Sequence, residues 1–256
     1  MRNNSRRNFI RGAALTSLAA CCLPFKGLNA AMPFEPKINR LKDGAVILFQ
    51  GDSITDGNRG RTPDPNHIMG HGYAFSIASR VGADYPEKRY QFYNRGISGN
   101  KVTDLEQRWQ AETLDLKPDI LSILVGVNDS NSIVFNRQPS VSVEEYEEVY
   151  DALLEKTRSV FPEIIFVLCE PFVLKVGRMI ENWEVSYSDM SKRQEIVRKL
   201  SRKYDAVFVG FQEVFDKACE KVHCDYWIWD GVHPTVAGHE LMAREWLKQV
   251  EKRILF

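Results

Sequence analysis

The chain has 256 residues, 44% of them apolar and 27% charged, which suits one globular α/β domain with a substantial core and leaves two full domains cramped. Lys plus Arg number 34, as do Asp plus Glu, so the net charge is zero and a polyanion such as nucleic acid is disfavoured as the main partner. The absence of long charge blocks and internal repeats argues against disordered tails and solenoids.

Residues 1–30 read as an export signal. Met1 to Arg11 carries four arginines and no acidic residue, and an apolar run over 12–25 follows, too short to span a membrane. Ser5-Arg6-Arg7-Asn8-Phe9-Ile10-Arg11 resembles the twin-arginine signal, which a receptor reads; an ordinary export signal holding two adjacent arginines is the alternative. Leu18-Ala19-Ala20-Cys21 resembles a bacterial lipobox, which would make Cys21 a lipidated first residue, anchored rather than spanning; cleavage nearer Ala30 or Ala31 is the alternative. Either way the protein is expected outside the cytoplasm of a bacterium, in the periplasm or held at a membrane or cell surface.

Residues 38–256 are expected to form the domain that works. Five short apolar runs, at 45–50, 90–94, 119–125, 164–169 and 206–210, are continuous rather than alternating, as in a parallel sheet covered on both faces. Helical patterns lie between them, at 73–84, 102–112, 188–204 and 236–251. A further one is marked by Val143, Tyr146, Val149, Tyr150, Leu153, Leu154, Val160 and Phe161, with glutamates on its other face. This alternation predicts a three-layer α/β/α sandwich with a five-stranded parallel sheet, whose site lies beyond the carboxyl ends of the strands.

The chemistry-bearing residues cluster there. Ser53, in Gly51-Asp52-Ser53-Ile54-Thr55, follows the first strand; Gly96 and Gly99 follow the second; Asn128 follows the third; Asp230 and His233 precede the last helix. A serine hydroxyl needs a base to take its proton as it attacks, histidine titrates in the useful range, and a carboxylate must hold the imidazole tautomer. Asp230 and His233, three apart around Gly231, can meet in one tight turn. The Ser53 and Gly99 amides and the Asn128 side chain could supply the donors that a tetrahedral oxyanion requires. On its own, Asp52-Ser53 also spells a helix cap.

The ordered blocks GDSIT, NRGISG, GVND and DGVHP resemble those of the SGNH (GDSL) hydrolase family over residues 45–246. That resemblance implies a flavodoxin-like fold, Ser53 as nucleophile, Asp230 and His233 completing the triad, and Ser53, Gly99 and Asn128 as the oxyanion hole. It implies no cofactor and no metal. A narrower resemblance, carried by Ile54-Thr55-Asp56, Arg59, Arg61, Gly72-Tyr73, Asp104, Arg108-Trp109 and Trp229-Asp230, is to bacterial acetylxylan esterases. It implies an acetylated carbohydrate as partner, with a lipid anchor and self-association left open, and removal of O-acetyl groups from xylan or its oligosaccharides. Asp52, Arg59, Arg61 and Trp229 are the candidate substrate contacts, and residues 172–186, with Trp183, depart from that branch. Two other readings stay open: a lysophospholipase or thioesterase with the same triad, and a sugar-binding surface protein on a hydrolase scaffold.

Several residues invite weaker readings. Ser98 nearly completes G-x-S-x-G but reads as a turn residue. Asp129 competes with Asp230 as triad acid, and its place beside Asn128 fits loop support better. His67 and His71 lack a metal-binding context, His239 reads as a packed helical histidine, and His223 lacks an acid at the triad spacing. Cys169 reads as core packing; Cys219 and Cys224 could pair in an oxidising compartment.

Overall fold

The computed structural model describes residues 39–62 and 64–256. The expected export signal and Cys21 lie outside the described residues.

The sheet has five parallel strands: β1 (Val46–Gly51), β2 (Gln91–Asn94), β3 (Ile120–Leu124), β4 (Ile165–Cys169) and β5 (Val207–Val209). Their spatial order is β2-β1-β3-β4-β5, the flavodoxin-like order. Every central strand is buried on both faces. On β1, Ile47 and Phe49 join one core and Leu48 the other, which is why no polar alternation is visible in the sequence.

Eight helices run among the described residues. They are α1 (Ser53–Asp56), α2 (Tyr73–Asp84), α3 (Val102–Glu112), α4 (Val127–Val134), α5 (Val143–Val160), α6 (Trp183–Lys203), α7 (Phe211–Cys219) and α8 (Val236–Val250). Side chains of α2, α7 and α8 fill the core on one face, and those of α3, α5 and α6 the core on the other. Each layer centres on a buried tryptophan whose indole N–H must find a partner. Trp246 of α8 donates to the Ser122 hydroxyl at 3.0 Å, and Trp109 of α3 donates to the Thr157 hydroxyl at 2.9 Å. None of the described helices is long and apolar enough to cross a membrane.

Three helices were not visible in the sequence: α1, α4 and α7. All are short, and α4 carries so many polar residues that no apolar stripe marks it. Asn128 therefore sits in the first turn of a helix rather than in a loop. Helix α6 also begins at Trp183, five residues before the expected start at 188.

Register decides what the site can contain. Phe49 stands level with Asn94 on one side and with Ser122 on the other. The chain therefore leaves β1, β2 and β3 at one edge, which brings Ser53, the 95–101 loop and Asn128 together.

Candidate active site

Ser53 opens α1, and the Asp52 carboxylate beside it accepts the Ile54 amide at 3.0 Å as the helix cap. Capping and presentation of the hydroxyl are thus done by neighbouring residues. The Ser53 Oγ lies 2.9 Å from His233 Nε2, and His233 Nδ1 lies 2.8 Å from Asp230 Oδ2. The other Asp230 oxygen accepts the amides of His233 at 2.7 Å and Val232 at 3.0 Å.

Burial alone would raise the Asp230 carboxyl. Hydrogen bonds from the His233 ring and from the His233 and Val232 amides reverse this and hold it down at about 2. A carboxylate so fixed requires the proton on Nδ1, which leaves Nε2 to accept from Ser53. Arg178 adds a guanidinium 3.4 Å from Asp230 Oδ2, a contact that no sequence motif announces. Trp229, 63% exposed, stacks on the imidazole with ring centres 6.1 Å apart.

The donors lie close by. The Ser53 amide, first in its helix, has no intrahelical partner. Gly99 adopts φ +87°, a conformation that disfavours other residues, and no acceptor takes its amide among the described residues. Asn128 gives one amide hydrogen to the Asn100 carbonyl at 3.1 Å, which orients the group and leaves its second hydrogen free. Gly99 and Asn128 line one cleft of about 220 Å³.

Two polar hubs hold these loops. Arg108 spans the ends of β1 and β2, donating to Gln50, Arg95 and Asn100 at 2.7–2.9 Å. Asp56 accepts both Arg61 nitrogens, at 3.0 and 2.7 Å, and both the amide and the hydroxyl of Ser98. Ser98 is thereby a turn residue, as its sequence context indicates.

The four candidate substrate contacts fare differently. Asp52 is 1% exposed and caps α1 through Oδ1, while Oδ2 has no partner among the described residues; burial, against the Ile54 hydrogen bond, raises its carboxyl to about 7. Its carboxylate thus sits beneath Ser53 at the start of α1, facing no open surface. Arg61 is engaged by Asp56, and Arg59 Nε donates to the Gly96 carbonyl at 2.9 Å, so both brace loops. Arg61 stays half exposed and lines a cleft with Arg59, and Trp229 presents an open face beside His233.

The remaining candidates resolve into structural work. Asp129 is buried and accepts the Val102 amide at 2.9 Å, holding the start of α3. His239 accepts the Tyr73 amide at 3.1 Å, and burial, then the charges of His71 and His233, lowers it to about 4. His67 pairs with Asp64 and His223 with Asp225. Cys219 and Cys224 form a disulfide, while Cys169 is a buried free thiol.

The profile of the GDSL-like lipase/acylhydrolase family matches residues 49–241. The chain belongs to this family, known also as the SGNH hydrolases. It is 31% identical to an acetylxylan esterase of Geobacillus stearothermophilus over 216 residues, covering 82% of this chain and 96% of that enzyme. The solved structure of that esterase superimposes with a TM-score of 0.73 at 31% identity, covering 82% of this chain and 95% of its own. Solved variants of it include catalytic mutants in which a serine or an aspartate is replaced by alanine. A structure described as a GDSL-like lipase from Parabacteroides merdae matches with a TM-score of 0.80 at 41% identity, over 85% of this chain and all of that one. An uncharacterized lipoprotein of Bacillus subtilis is 27% identical over 143 residues, 49% of this chain and 56% of its own. This SGNH hydrolase is a carboxylic ester hydrolase, similar to acetylxylan esterases.

Proposed function

We propose that this SGNH hydrolase is an exported serine esterase that removes O-acetyl groups from a plant polysaccharide such as xylan, or from its oligosaccharides, through Ser53, His233 and Asp230. The observation that carries the reading is the unbroken hydrogen-bonded chain Asp230–His233–Ser53.

The reaction follows from that chain. As Ser53 Oγ bonds to the acetyl carbon, its proton passes to His233 Nε2, and Asp230 stabilises the imidazolium. Charge that develops on the carbonyl oxygen is met by the Ser53 and Gly99 amides and the free Asn128 hydrogen; one such donor is worth ~3 kcal/mol. Collapse breaks the bond to the sugar oxygen, which leaves with the proton from His233, and acetyl-Ser53 remains. Water then attacks it, giving its proton to the same nitrogen, and acetate departs as Ser53 recovers the proton.

The substrate class rests on likeness to the Geobacillus esterase. Ser53 and Asp230 are the residue types whose replacement makes its variants catalytic mutants. The export reading rests on residues 1–30, whose arginines and apolar run precede a hydrolase domain at 38–256. A disulfide between Cys219 and Cys224 suits an oxidising compartment, and the Bacillus relative is described as a lipoprotein, as Cys21 would make this chain.

The test is acetate release from acetylated xylan by wild type and Ser53→Ala. Loss of the nucleophile should lower turnover by about 10⁶-fold. Unchanged hydrolysis would remove Ser53 from the mechanism, and preference for long acyl esters over acetate would reassign the enzyme to the lipases or thioesterases.

A further inference from the structure

The cleft that holds Gly99 and Asn128 continues along α4 to Asn131, and then to Arg137 and Gln138 beyond the end of that helix, with Lys101 on the facing side. Asn131 is 4% exposed, yet among the described residues no protein group bonds its side-chain amide, although that amide borders the cleft. The amide reaches the water of the cleft rather than being sealed from it, so its donor and acceptor are available to a ligand there.

The other polar residues here divide into two kinds. Ser132 is used internally, donating to the Asp129 carbonyl at 2.6 Å and accepting the Val141 amide at 3.0 Å. Lys101 is paired with Asp104 at 3.1 Å. By contrast, Arg137 has no carboxylate partner among the described residues; its guanidinium lies over the Phe135 ring, 5.2 Å from the centroid. The unspent groups are thus an amide that both gives and accepts, and a guanidinium with donors in a planar fork.

Position along the helix then selects the ligand. Asn128 and Asn131 are three residues apart on α4, so they share a face, about 5 Å from one to the next. If Asn128 meets the acetyl oxygen, Asn131 lies within one ring's breadth of the carbon under attack. Besides its carbonyl oxygen, that carbon bears two groups, a methyl that stays and the sugar oxygen that departs. The methyl can use neither a carboxamide nor a guanidinium, whereas a ring bearing hydroxyls can use both.

We infer that this cleft is the subsite for the sugar ring that carries the acetyl group, with Asn131 and Arg137 reading its free hydroxyls. The inference rests on the proposed deacetylase reaction and adds where the leaving group sits. Substrate affinity and alignment then come from α4 and the residues just after it. The acetyl methyl is directed away from this cleft.

The experiment compares kcat/KM on acetylated xylo-oligosaccharides with kcat/KM on 4-nitrophenyl acetate, which has the same acyl group without the sugar. The quotient of the two should fall at least about tenfold in Asn131→Ala, the loss expected when a hydroxyl-bonding partner worth about 1.4 kcal/mol is removed. Arg137→Ala, at an exposed position that does not endanger folding, should lower the same quotient several-fold. A quotient within twofold of wild type in both variants overturns the subsite. So does a changed ratio of acetate to butyrate hydrolysis with the sugar quotient intact, since the cleft would then hold the acyl chain. Wild type inactive on every sugar acetate instead overturns the deacetylase reading, and the subsite with it; that outcome is read before any variant is made.

Discussion

Gly177 packs directly against the backbone of Asp230: a Cβ on Gly177 would lie 2.6 Å from the Asp230 Cα, and Gly177 itself holds φ +56°. Asp230, the acid of the proposed triad, is thus positioned from outside its own loop. Leu174 completes the clasp by donating its amide to the Gly231 carbonyl at 3.0 Å.

Gly177→Ala should therefore push Asp230 away from the imidazole. Displacement by about 1 Å can lower kcat by about 10²-fold, and the left-handed backbone adds about 1–2 kcal/mol of destabilisation. Steady-state kinetics on 4-nitrophenyl acetate with a urea melt separate the two effects. A variant with near wild-type kcat would show that the clasp is not needed for alignment.

Asp230 links the site to stability at low pH. Its carboxyl lies at about 2 when folded and at 3.8 as an unperturbed group. Because the folded value is depressed, the stabilisation is complete above about pH 4 and is lost as pH falls toward 2. The shift corresponds to about 2 kcal/mol. Urea midpoints of wild type and Asp230→Asn should converge across that window, and parallel curves would contradict it.

His239 acts in a different window. Burial lowers it to about 4 from 6.5, so between those values the unfolded chain binds the proton first and stability falls as pH falls. The loss approaches about 3 kcal/mol by pH 4. His239→Asn, which keeps an acceptor for the Tyr73 amide, should flatten the curve between pH 6.5 and 4. An unchanged slope would assign it to other groups.

The disulfide closes a short loop just before the Asp230–His233 turn, with Cys219 and Cys224 only five apart. Chain-entropy reasoning gives about 2 kcal/mol for so short a ring. Cys219→Ser with Cys224→Ser should lower the melting midpoint while kcat changes little, because the Trp227 indole still anchors the segment to the Ala218 carbonyl at 3.0 Å. A large drop in kcat would mean that the bridge itself aligns Asp230.

Much of the fold was legible because β1 and β3 are apolar on both faces, a pattern that survives in one dimension. The meeting of Ser53 with His233 and Asp230 was legible only through remote motifs, since Asp52-Ser53 spells a cap, and Asp52 does cap α1. Asn131 stayed hidden for a physical reason. Asp129 and Ser132 serve α3 and the 141 backbone, so α4 has no apolar stripe and its polar residues look interchangeable. The clasp of Gly177 on Asp230 was equally invisible, as it joins segments far apart along the chain. Residues 172–186, which depart from the esterase branch in sequence, begin with that clasp.

The Ser53–His233 hydrogen bond joins residues 180 apart. At ribosomal rates of about 5–20 residues per second, the serine waits roughly 10–35 seconds for its histidine to be made. A growing chain or a prematurely ended one therefore carries Ser53 without the His233 ring that meets it in the folded protein. On the proposed mechanism, the Ser53–His233 pair can form only once the last stretch of the polypeptide has been made.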